Sequence, residues 1–237
     1  NGKLLSKTDL PLDNFGVVQI VEDRNRNIKR IIVSVMADAY EGYSYANPTL
    51  LFDTDLNLLK EIRSIGSGHR IIPIDYNNDN VDECIDGYEM YDFDGNRIWK
   101  LDEFASREYK PKTDHVDHTE VFVHDGKNVA AIAGSDFFYL VDIESGNTIW
   151  KKKPIHAQYC LVDKFAGEGE PLIFLTNMTH KVQFMNIHGD IVWEGPLPPN
   201  WPLGIPSNLS NRMFHMGIPA NKIYVDNNVF ILYNEMG

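Results

Sequence analysis

Apolar residues in this chain come in short runs, and almost every run is closed by Asp, Asn, Gly or Pro. Val17-Val-Gln-Ile-Val21, Ile31-Ile-Val-Ser-Val35, Ile71-Ile-Pro-Ile74, Ala130-Ala-Ile-Ala133 and Leu172-Ile-Phe-Leu175 are examples. Runs of this length, rich in β-branched residues and bounded by turn formers, predict strands. A helical spacing of apolar positions fits no segment well.

The strands recur in a fixed order. Four segments share one pattern: Phe52-Asp-Thr-Asp-Leu-Asn-Leu-Leu59, Tyr91-Asp-Phe-Asp-Gly-Asn-Arg-Ile-Trp99, Val141-Asp-Ile-Glu-Ser-Gly-Asn-Thr-Ile-Trp150 and Met185-Asn-Ile-His-Gly-Asp-Ile-Val-Trp193. Each is a strand, a turn built on Asp, Asn and Gly, and an apolar strand that often ends in Trp. Gly and Asn tolerate the positive φ that hairpin turns require. The marker residues Asp53, Asp92, Asp142 and Asn186 follow one another at roughly 40 to 50 residues. That period, all strand, predicts an all-β fold, a β-propeller with blades of four strands. About four to five blades are expected, with candidate blades at 15–62, 69–110, 117–152 and 155–197 and a partial blade at 210–237. The repeated Trp99, Trp150 and Trp193 are read as blade-to-blade packing. Trp201, in the proline-rich stretch 196–202, is read as a loop residue that caps the channel or stacks on a sugar.

Composition narrows the function. The net charge is −12 over 237 residues, which argues against nucleic acid, since that partner needs a basic surface. No apolar run is long enough to cross a membrane. Cys84 and Cys160 both fall in strand-like runs and are read as buried thiols. The chain starts at Asn1 and stops just after Asn228-Val-Phe-Ile-Leu-Tyr233. It reads as a piece of a longer protein, so the missing leader carries no weight on secretion.

One turn carries more oxygen than a turn needs. In Asp75-Tyr-Asn77-Asn-Asp79-Asn-Val81-Asp-Glu83, side-chain oxygens stand at positions one, three, five and nine, and the Val81 carbonyl is available at seven. Ca²⁺ takes six to eight hard oxygens, and alternate oxygen-bearing residues in a short loop supply them. Asp75, Asn77, Asp79, Val81 and Glu83 are therefore the expected metal ligands. The flanking strands, and Asn80 where a helix–loop–helix site needs Gly, set this apart from an EF-hand. Asp86 falls at position twelve, on a strand from which it need not reach back.

This loop and the hairpin that follows, Gly87 to Trp99, resemble the calcium-loop blades of rhamnogalacturonan lyase-type β-propellers and of FG-GAP-type propellers. Gly66-Ser-Gly-His-Arg70 is similar to the Gly-His segment that precedes a calcium loop in the lyases. His115-Val-Asp-His118 and His156-Ala-Gln158 are similar to their His-bearing blade starts. The resemblance covers residues 66 to 195. It implies a secreted protein with bound Ca²⁺ that cleaves an acidic pectic polysaccharide, rhamnogalacturonan, by β-elimination. The alternative it leaves open is a non-catalytic carbohydrate- or protein-binding propeller of the adhesion type. Three of the four blade loops here lack the metal pattern. The acidic balance suits a polyanion only if Ca²⁺ bridges the two.

β-Elimination beside a uronate needs a cation or Arg on the carboxylate and a base at the neighbouring proton. His69, Arg70, His118 and His156 are the expected catalytic residues. They come from three candidate blades, and His118 and His156 each stand seven residues before an Asp, Asp125 and Asp163. Matching offsets in consecutive blades would gather them at the end of the ring where the first strands begin. Arg70 is the expected charge neutraliser and a neutral histidine the base. A metal at His115, Asp117 and His118 is a further option, with no clear partner set in the spacing.

Overall fold

In the computed structural model the alternating segments pair into antiparallel sheets in strict chain order. It describes residues 4, 6–10, 15–35, 47–104, 114–153, 156–165, 169–177, 181–196, 222–226 and 229–233. The first blade is β1 (Phe15–Asp23), β2 (Ile28–Val35), β3 (Thr49–Phe52) and β4 (Leu58–Ile62). The second is β5 (Ile71–Ile74), β6 (Glu83–Asp86), β7 (Glu89–Tyr91) and β8 (Arg97–Lys100). The third is β9 (Val116–His124), β10 (Lys127–Gly134), β11 (Phe138–Asp142) and β12 (Thr148–Lys152), and the fourth β13 (Ala157–Asp163), β14 (Leu172–Asn177), β15 (Lys181–Met185) and β16 (Ile191–Pro196). A hairpin, β17 (Lys222–Asp226) with β18 (Val229–Tyr233), follows. The fold is an all-β propeller. Among the described residues the helical content is one 3₁₀ turn, Asp102–Phe104. Trp201 and its proline-rich loop lie outside the described residues, as does most of 210–237.

The core lies between blades, because each sheet is apolar on both faces. Along β10, Ala130 and Ile132 face the second blade, against Ile85, Tyr88, Met90 and Trp99. Val129, Ala131 and Ala133 face the fourth, against Cys160, Ile173, Leu175 and Met185. The period of two in a strand makes that division. Small alanines on both faces let the sheets approach closely. The first and second blades meet likewise through Val21, Ile32, Leu51, Ile71, Cys84 and Tyr91. The first strands are innermost, β1 beside β5 and β9 beside β13.

The recurrent turn is held alike in the first, second and fourth blades, and in the third Asp142 Oδ1 accepts from Ser145 instead. Asp53 Oδ1 accepts the backbone N–H groups of Asp55 and Asn57 at 2.9 and 2.8 Å. Asp92 does so for Asp94 and Asn96, and Asn186 for His188 and Asp190. The ladder then slips by one residue, at Leu51/Phe52, Met90/Tyr91, Leu140/Val141 and Phe184/Met185. Trp99, Trp150 and Trp193 stand just past the slip, opposite Met90, Leu140 and Phe184. Trp99 Nε1 donates to Ile143 O at 2.6 Å and Trp150 Nε1 to Ile187 O at 2.8 Å. Trp99 therefore clips the second blade to the turn of the third, and Trp150 the third to the turn of the fourth.

Candidate functional site

The segment Gly66-Ser-Gly-His-Arg70 is strapped to the start of the third blade. His69 N–H donates to Val116 O at 3.1 Å, and Val116 N–H donates to Gly66 O at 2.9 Å. A Cβ at Gly68 would lie 1.8 Å from Val116 O, so only glycine permits this approach. The strap sets His69 beside His115 and Asp117.

Asp117 is the residue that the β9–β10 ladder skips: Val116 pairs with Gly134 and His118 with Ala133. A bulge re-aims the side chain it carries. Here it directs a fully buried carboxylate at three imidazoles. His69 Nε2 lies 3.2 Å and His115 Nε2 3.4 Å from Oδ1, and His156 Nε2 lies 3.0 Å from Oδ2. The three histidines come from the starts of three successive blades. Their side chains are 14%, 14% and 27% exposed, so His156 is the most accessible. It sits at φ +47°, in the left-handed region that few non-glycine residues adopt. Burial alone would push the Asp117 carboxyl up. The hydrogen bonds of His115, His156 and His69 together outweigh burial and hold it well below the ordinary range.

Ser135 decides the tautomer of His115. Its hydroxyl donates to His115 O at 3.0 Å, and its oxygen lies 3.0 Å from His115 Nδ1. With the hydroxyl proton on the carbonyl, Oγ accepts from Nδ1–H, and neutral His115 presents a lone pair at Nε2 toward Asp117. A lone pair against a carboxylate requires an imidazolium proton or a cation between them. His69, His115 and Asp117 place their donor atoms within 4.8 Å of one another, a spacing that suits a metal ion.

Arg70 turns the other way, toward the inner strands. Its Nη1 donates to His118 Nε2 at 3.1 Å, and its guanidinium carbon lies 6.0 Å from the centre of the Tyr159 ring. Glu120 stands on the same face of β9 as His118, two residues on. Burial pushes its carboxyl up to about 7, against the pull of the Arg70 charge. Of the four expected catalytic residues, then, His69 and His156 share Asp117, while Arg70 and His118 form a neighbouring pair. Asp117 as the common partner was not legible in the sequence.

The Asp75–Glu83 loop keeps its oxygens close to its own backbone. Asp75 accepts from Asp79 and Asn80 N–H, each at 3.0 Å, Asn77 Oδ1 accepts from Asp79 N–H, and Asp79 Oδ1 accepts from Val81 N–H. Val81 faces Asp23 of the first blade in a single antiparallel bridge. Arg24, from that same blade, reaches Asp82 at 2.8 Å and Asp75 at 3.6 Å. Glu83 is buried, and its Oε2 has no hydrogen-bond partner. Burial first, then the charges of Asp79 and Asp75, push its carboxyl up to about 7. Among the described residues, the donor atoms that meet at metal-binding spacing are those of His69, His115 and Asp117 and not those of this loop. Asp86 faces away, accepting from Thr49, Ser64 and Ser67 at 2.8, 2.7 and 2.6 Å.

No family model and no curated protein matches the chain. Among solved structures it is similar to the Vibrio cholerae biofilm matrix protein Bap1, at 12% identity and a TM-score of 0.53 over 76% of this chain and 28% of that one. It is also similar to BBS1N in complex with ARL6DN, at 8% identity and a TM-score of 0.51 over 78% of this chain and 57% of that one. The chain thus spans less than two thirds of either neighbour. Identities this low speak for the fold alone.

Proposed function

We propose that this chain belongs to a calcium-binding propeller that takes an acidic pectic polysaccharide, rhamnogalacturonan, on the face where the blades begin, and cleaves it by β-elimination. The observation that carries the reading is the meeting of His69, His115 and His156 on one buried carboxylate, with Arg70 next in sequence to His69.

Elimination needs two things there. The uronate carboxylate has to be neutralised so that charge developing beside it is tolerated. Arg70 offers a permanent cation with a forked donor set that matches a carboxylate. A divalent ion held by His69 Nε2, His115 Nε2 and Asp117 would supply further Lewis-acid neutralisation. The proton then needs a base. His156 gives its Nε2–H to Asp117, which leaves Nδ1 as the basic nitrogen and a carboxylate behind to stabilise the imidazolium. Ca²⁺ on Asp75, Asp79 and Glu83 would be structural, tying the second blade to Arg24 and Asp23 of the first. A polymer of this kind implies work outside the cell.

A non-catalytic propeller that binds the same polymer is the second reading. On its side is the closeness of the cluster, where each imidazole already lies within 3.4 Å of Asp117. The test is incubation of the protein with pectic rhamnogalacturonan, with and without EDTA. Growth of ultraviolet absorbance from an unsaturated uronate end supports the lyase. Retention of the polymer without product supports the binding propeller. Neither product nor retention sinks both.

A further inference from the structure

The protons in two contacts of His118 can be assigned, those with Arg70 and with Cys160. Its ring is buried, 3% exposed. A guanidinium only donates, so the 3.1 Å contact with Arg70 Nη1 makes His118 Nε2 an acceptor. The remaining proton is then on Nδ1, which lies 3.6 Å from Cys160 Sγ. That sulfur is in turn 3.4 Å from Ala131 O, which only accepts, so the thiol proton points there and the sulfur receives Nδ1–H. The chain runs Arg70 to His118 to Cys160 to Ala131. Burial pushes the Cys160 thiol well above its ordinary range, so it stays a donor. The Tyr159 ring lies against the imidazole, centroids 4.2 Å apart, and flanks Arg70 as well.

We infer that His118 is a positioning residue, a neutral imidazole whose tautomer is set by Cys160 and whose Nε2 holds the Arg70 guanidinium in place as the carboxylate-binding group of the site. The inference rests on the reading that this face receives an acidic saccharide. It removes His118 from the candidate bases, because its one lone pair is taken by Arg70 and its other nitrogen by sulfur. An arginine on a flexible stem would otherwise lose side-chain entropy on meeting a ligand. One held beforehand loses less.

The test has two parts. In ¹⁵N-histidine-labelled protein at neutral pH, His118 should show protonated Nδ1 and bare Nε2. A protonated Nε2, or an imidazolium, overturns the assignment. In titration calorimetry with a rhamnogalacturonan oligosaccharide, Arg70→Ala should abolish binding and His118→Leu should weaken it about tenfold, roughly 1.4 kcal/mol. His118→Gln, whose side-chain oxygen can accept from Arg70, should recover most of the affinity. Melting temperatures measured alongside separate positioning from folding. Equal losses for Leu and Gln that track stability overturn the role. So does wild-type affinity in His118→Leu. Failure of the wild-type protein to bind overturns the saccharide reading and the use assigned to Arg70, while the tautomer measurement still decides whether His118 holds it.

Discussion

His115 and His156 occupy the same register position in consecutive blades. Each precedes the first paired residue of its inner strand, Val116 or Ala157, and the residue that the ladder skips comes next, Asp117 or Gln158. Their rings lie 5.3 Å apart, edge to face. The two blades thus present the same imidazole, but only the third carries a carboxylate at the bulge. One buried charge therefore serves both of them and His69.

Asp117→Asn should expose how much of the fold depends on that charge. An amide cannot balance three imidazoles, and removing one member of a buried charged set costs about 3 to 5 kcal/mol. A carboxylate held below its ordinary range stabilises the fold at pH values above that range and ceases to do so as acid protonates it. Wild-type stability should therefore fall on acidification below pH ~4, where Asp117 is one contributor. The variant should be less stable at neutral pH and show a shallower acid limb. Urea denaturation between acid and neutral pH measures both. Equal acid limbs in the two proteins would remove Asp117 from the account.

Calcium should raise the melting temperature, because an ion bound only by the folded state stabilises it by mass action. The rise should vanish in Asp75→Ala and in Asp79→Ala. Glu83→Gln should behave differently. It removes a buried carboxylate pushed up to about 7, so without calcium it should melt higher than the wild type. With calcium it should gain nothing. Identical melting curves in EDTA and in calcium would show that Arg24 and the loop's own N–H groups are all that Asp75 and Asp79 meet.

The blades were legible because their signals are local. Period-two alternation, the Asp or Asn at each turn and the trailing Trp all lie within a few residues, and each maps onto one hairpin. The site was legible only in part. His69 and His156 could be found from their offsets ahead of an Asp, but the same count paired His118 with His156. Counting back from the turn fails because β9 has nine residues and β13 seven, which moves His118 inward and leaves His115 in register with His156. A bulge at Asp117 leaves no mark in composition. Arg24 was hidden for a related reason: it reaches the Asp75 loop from another blade, 51 positions away by number.

Glu120 should contribute to the pH slope of stability near neutrality, alongside Glu83. Burial pushes its carboxyl up to about 7 in the fold, against 4.5 unperturbed. Between those values the folded state holds the proton more tightly than the unfolded chain, so stability falls as pH rises from 4.5 to about 7 and then levels. Glu120→Gln lacks that penalty. Its melting temperature should match the wild type near pH 4.5 and exceed it increasingly up to about 7. A constant offset across this window would mean that Glu120 is hydrated in the fold.

The Trp clip between blades predicts a contrast between two glycines. Gly146 and Gly126 both sit in hairpin turns at positive φ, +73° and +74°. A Cβ on Gly126 would meet nothing within 4 Å, whereas one on Gly146 would lie 2.7 Å from Trp99 Cγ. Both alanine variants incur left-handed strain of about 1 to 2 kcal/mol. Only Gly146→Ala also drives a methyl into the indole that donates to Ile143 O, an overpacking worth about 1 to 3 kcal/mol more. Gly146→Ala should therefore be the less stable of the two by that margin, in chemical denaturation under matched conditions. Trp99 fluorescence should shift with it, since the ring must move to admit the methyl. Equal losses, or an unshifted spectrum in Gly146→Ala, would mean that the second and third blades are not joined through this indole.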